Sequence, residues 1–127
     1  MSKFRLALGS ASCRDNKSKD PQVQEVCRIL LEKLEALKSS DPVFLKSFPL
    51  DHSEIMEING REVLMTVFHD RLPQEESLLV IQAYYSTWKF PNFISLGGVG
   101  KVFAEGFLLN KTGEVKEAPE SLLWDYR

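Results

Sequence analysis

His52, His69 and Glu105 are the residues of this chain whose types and spacing allow catalytic chemistry. The two histidines become neighbours if Asn59-Gly60 is a tight turn. Asn-Gly tolerates positive φ at both central positions, so it favours a two-residue type I′ hairpin joining 53–58 to 61–69. In that register Ile58 faces Arg61, Met56 faces Val63, Glu54 faces Met65 and His52 faces Val67. His69 is then diagonal to His52 on the same face, within roughly 7–8 Å. Two imidazoles at the end of an apolar face can bind a metal or act as acid and base. The simpler account is two strand-end histidines half in solvent, and it is the preferred one. A zinc site needs a third ligand, and Asp51 and Asp70 point to the opposite face of an ideal strand. No cofactor is expected.

Glu105 alternates with Phe103, Phe107 and Leu109 along one strand face. Either the phenylalanines face solvent or the carboxylate faces an aromatic interior. An interior carboxylate holds its proton more tightly, which suits general-base work. An arginine partner, or a sheet edge that reaches water, explains Glu105 without catalysis and is preferred. Ala104 and Gly106, on the other face, are small enough for a helix or ligand to approach closely.

Tyr84, Tyr85, Trp88, Phe90 and Phe93 fall within ten residues. Such a cluster suits a subunit interface or the contact surface for a protein partner, and second a pocket for a small apolar ligand. It equally suits the closure of a small core. Leu96-Gly97-Gly98-Val99-Gly100-Lys101 imitates a phosphate loop. That pattern needs glycine at 95 and serine or threonine at 102, where this chain has Ser95 and Val102. A dinucleotide loop fails at Phe103. There is no Gly-x-Ser-x-Gly, no His-Glu-x-x-His and no cysteine beside a plausible histidine.

The elements that must hold these residues are legible in part. Asp20 and Pro21 open a helix. Val23, Val26, Cys27, Leu30, Leu34 and Leu37 then recur at three- and four-residue steps to about Lys38. Arg28 and Glu32 can pair on its solvent side. Ser39-Ser40-Asp41-Pro42 ends it, and 43–50 reads as a loop or edge segment between prolines. Upstream, Phe4, Leu6 and Leu8 alternate as a short strand. Residues 77–85 are apolar on both faces, as a central strand would be. The long helix covers one face, and the C-terminal segment or a second subunit must cover the other. Residues 102–109 form a further strand, Asn110 to Gly113 a turn, and Pro119-Glu120 the start of a short terminal helix.

Composition bounds the class. The chain has 127 residues, 43% hydrophobic and 27% charged, with net charge −2. One domain spanning 1–127 is expected, long enough to bury its own core. Without a basic surplus, nucleic-acid binding is not expected. No run approaches the roughly 20 apolar residues of a membrane helix, so no membrane partner is expected. Lys3 and Arg5 before Leu6-Ala7-Leu8 faintly imitate a lipoprotein signal, but the apolar core is far too short. Cys13 and Cys27 make no disulfide framework. Cys27 on the helix stripe reads as a buried free thiol, which points to a reducing, cytoplasmic setting.

The fold expected is α+β: one long N-terminal helix packed on an antiparallel sheet of about 4–6 strands, with a short C-terminal helix. Two architectures satisfy it. One is a helix cradled by a curved sheet, a cone with an interior pocket. The other is an acidic, dimeric export-chaperone arrangement with strands between terminal helices. The first functional expectation is a non-enzymatic homodimeric protein that meets a protein partner through an aromatic-rich surface. The alternative is a small cone-shaped enzyme or ligand-binding protein whose apolar pocket is lined by Glu105 and a histidine. The enzyme requires Glu105 and a histidine to face one cavity.

Overall fold

Helix α1 (Pro21–Lys38) begins where Asp20 and Pro21 predict. The Asp20 carboxylate accepts from the Gln22 N–H at 2.9 Å, satisfying one free donor of the first turn. Val23, Val26, Cys27, Leu30 and Leu34 are buried along one stripe. Arg28 lies on the solvent side between Glu25 and Glu32, paired with both. In the computed structural model the described residues are 7–11, 13, 19–48, 51–86 and 100–126.

The Asn59-Gly60 turn has φ of 53° and 76°. It joins β2 (Asp51–Ile58) to β3 (Arg61–Arg71), with the four expected pairs, Ile58 to Arg61 through His52 to Val67, all in register. Strand β4 (Ser77–Ser86) and β5 (Gly100–Leu109) continue the sheet, and β1 (Ala7–Ala11) pairs with β5. The order is β1-β5-β4-β3-β2, with β6 (Val115–Glu117) also on β5. The β1–β5 pair is parallel and the others antiparallel. The long helix therefore follows a strand instead of heading the chain, a small departure within the expected α+β class.

The segment after α1 departs from the loop expected there. Residues Pro42–Lys46 form a short helix, α2. The Asp41 carboxylate accepts from the Val43 N–H at 2.8 Å, the same Asp-Pro start that opens α1. Leu45 is fully buried, while Val43 and Phe44 face outward.

β4 is central, and both its faces are buried. Helix α1 covers Leu79, Ile81 and Ala83. On the other face, Leu78 and Val80 pack with Phe68, Ala104, Leu123 and Tyr126. Leu123 belongs to α3 (Glu120–Leu123), and Tyr126 to the 3₁₀ turn that follows it. The chain's own C-terminal segment thus supplies cover that a second subunit would otherwise have to provide. Gly106 permits that approach: a Cβ there would stand 2.5 Å from the Leu79 carbonyl oxygen and 3.2 Å from Leu123 Cδ2.

Cys13 and Cys27 are joined by a disulfide, with Cα atoms 5.2 Å apart, so the expected free thiol is a correction. Cys27 is on the buried stripe as read. Its partner stands fourteen residues upstream, and only the packing of Cys13 against α1 brings the sulfurs together. The ground for expecting a reducing compartment falls away, since disulfides persist in oxidising surroundings.

Candidate functional site

Cross-strand register sets one row of side chains on the helix-covered face: His52, Val67, Ile81 and Glu105, one from each of β2 to β5. Three inter-strand steps of about 4.8 Å separate the outer two by roughly 14 Å of backbone. The two ends of this row lie in different surroundings.

At the β2 end is a groove between the second half of α1 and the sheet. It encloses about 260 Å³. Ala36, Leu37, Met65, Val67 and Ile81 give it apolar walls, and Lys33, Ser40, His52 and Glu54 add polar groups. Lys33 Nζ and Glu54 Oε1 form an ion pair 3.0 Å apart that links helix to edge strand. His52 is exposed and stands edge-on to Phe48, ring centroids 6.4 Å apart. Phe48 in turn stands edge-on to Phe44 at 5.8 Å. The groove therefore opens toward an aromatic ladder of Phe44, Phe48 and His52. Phe44 is 53% exposed.

At the other end Glu105 is 2% exposed and does not line the groove. Its Oε2 accepts from the Cys13 backbone N–H at 2.7 Å, directly beside the disulfide. A carboxylate on a buried N–H is a charge-assisted bond that fixes Cys13 against β5.

His69 shares a face with His52, as the hairpin predicts, yet it is fully buried. Its Nδ1 lies 2.9 Å from the Phe48 carbonyl oxygen, which can only accept, so Nδ1 carries the hydrogen. Nε2 then accepts from the Ser77 hydroxyl at 2.9 Å. Both ring nitrogens are occupied in tying β3, β4 and the segment before β2 together. His52, His69 and Glu105 are thus not brought to one cavity. Among the described residues no three His, Cys, Asp or Glu side chains cluster as metal ligands would.

The aromatic cluster also divides. Tyr84 is fully buried with Val102 and Leu64 on the face away from α1. Tyr85 lies on the α1 side, stacked on Phe103 with centroids 6.4 Å apart. Burial pushes its phenol up to about 12, helped by the negative charge of Asp20 and opposed by Arg61. Its hydroxyl has no hydrogen-bond partner among the described residues. Neither tyrosine presents a ring to a partner. Trp88, Phe90 and Phe93 lie outside the described residues, as do Leu96 to Val99 of the glycine loop.

The ladder of Phe44, Phe48 and His52 is what sequence reasoning missed. The signal was available. Asp41-Pro42 marks a helix start, and a five-residue helix with Leu45 inward must turn Phe44 outward. No helix among the described residues is long and apolar enough to cross a membrane. No protein-family model, curated protein or solved structure matches this chain.

Proposed function

We propose that this chain is a non-enzymatic binding protein, and that the groove between α1 and β2–β4 receives an apolar side chain of a protein partner. The observation that carries this is where the three candidate side chains fall. His52 lines an open groove, whereas Glu105 and His69 are engaged in bonds that hold the fold together. A volume of about 260 Å³ lies just below the roughly 300–1,000 Å³ typical of sites that enclose a whole small molecule. It suits one or two bulky side chains, the usual anchors of a protein interface. The aromatic ladder beside it extends the contact area. The alternative, a pocket lined by Glu105 and a histidine, has the histidine without the carboxylate.

Selection from a displayed peptide library tests the proposal, with the Ala36→Trp variant as control. Ala36 is exposed at the groove, so the larger side chain fills it without entering the core. Enriched peptides carrying a bulky apolar residue should bind wild type and lose at least about tenfold on the variant. Equal binding to both proteins, or no enrichment, would remove the groove as the contact surface.

A further inference from the structure

Among the described residues β2 ends the sheet, and no strand pairs with its outer edge. It is eight residues long, and Asp51 to Ile55 and Glu57 are exposed. Most exposed edges are short or blunted, because free N–H and C=O groups invite another strand.

The register says which groups are free. Ile58 and Arg61 close the two-residue turn and exchange both hydrogen bonds, and the pattern then alternates along the pair. Ile58, Met56, Glu54 and His52 spend their backbone groups on β3. Asp51, Ser53, Ile55 and Glu57 direct theirs outward, four donors and four acceptors in a line. The side chains of those four point away from α1. Ile55, in the middle, is 57% exposed. It faces Leu64, so its apolar surface continues that of the sheet.

Charge narrows the occupant. Glu57 stands directly opposite Glu62 on β3, a like-charge pair that opposes itself across the ladder. Neither it nor Asp51 has an ion-pair partner among the described residues. A second copy fits poorly. The antiparallel register that uses all four outward residues sets Asp51 against Glu57 twice.

We infer that β2 takes up an extended, basic-apolar segment of a partner protein as an added strand. This rests on the binding reading above and specifies the partner. An apolar residue of the segment covers Ile55, and a lysine or arginine two positions along meets Glu57 and Glu62. Main-chain bonds hold the segment, and alternate side chains decide which segment is held. Residues on its other face lie beside His52 and Glu54, at the groove.

The test uses a synthetic peptide that alternates lysine and valine on one face and threonine and leucine on the other. A glutamate-for-lysine version serves as control. Binding is followed by amide hydrogen exchange and by methyl shifts of Met65 and Val67. The lysine peptide should slow exchange at Ser53, Ile55 and Glu57, and the glutamate peptide should not. Glu57→Lys should weaken binding at least about tenfold. Ile55→Pro removes an outward N–H without touching the β3 ladder, and should abolish slowed exchange at the edge. Methyl shifts without slowed edge exchange would overturn the added strand and leave the groove standing. Slowed edge exchange insensitive to Ala36→Trp would keep the strand and remove the groove. Equal binding of both peptides, or no binding at all, would overturn the inference, leaving the acids as guards of the edge.

Discussion

The buried carboxylate of Glu105 and the backbone N–H of Cys13 are joined by a 2.7 Å hydrogen bond between residues 92 apart in sequence. The bond explains a charged residue among phenylalanines. Its acceptor satisfies a donor that the disulfide loop carries into the interior. Glu105→Ala should therefore leave that N–H unsatisfied and cost about 1–3 kcal/mol in urea unfolding. Glu105→Gln keeps an acceptor oxygen and should cost less. Full stability in the alanine variant would show that the bond contributes nothing.

The Cys13–Cys27 bridge closes a short loop, with fourteen residues of sequence separation. Loop-closure entropy puts its removal at about 3 kcal/mol. The double variant Cys13→Ala, Cys27→Ala should unfold at correspondingly lower denaturant. A thiol assay on unfolded, unreduced protein should find no free thiol. Two thiols per chain would contradict the bridge.

Tyr85 buries a hydroxyl that finds no hydrogen bond among the described residues. Tyr85→Phe removes that group while keeping the stacked ring, and should stabilise the fold by about 1 kcal/mol. The phenol titrates near 10 in the unfolded chain and is pushed up to about 12 in the fold. A raised folded value contributes stability that is intact below pH 10 and lost as pH rises toward 12. Wild type should therefore fall behind the phenylalanine variant across that window. Parallel pH profiles for the two proteins would refute the assignment.

Gly106 has no room for a side chain. An added methyl would collide with the Leu79 carbonyl, which is backbone and cannot rotate away. Gly106→Ala should cost about 1–3 kcal/mol through overpacking. It should also loosen α3, which amide exchange at Leu123 would report. An unchanged melting temperature would mean that the strands shift to absorb it.

Much of this arrangement is written in local patterns of residues. The Asn59-Gly60 turn specified the hairpin register, because a two-residue turn with two positive φ angles leaves one pairing. The apolar stripe from Val23 to Leu34 specified α1. The two-faced apolarity of β4 specified a central strand. The alternation around Glu105 specified that it shares a face with Phe103 and Phe107. These are statements about neighbours in sequence, or about strands joined by one short turn. The helix at Pro42 is equally local, and its Asp-Pro start is a helix signal that the flanking prolines obscure.

Tertiary structure alone decided that Cys13 meets Cys27, that Glu105 serves Cys13, and that His69 is used up by Phe48 and Ser77 while His52 stays open. It alone decided that α3, from the end of the chain, covers β4. Each of these depends on how α1, the C-terminal segment and Cys13 dock on a finished sheet. Docking is settled by the summed packing of many side chains, and no single residue's pattern carries that sum.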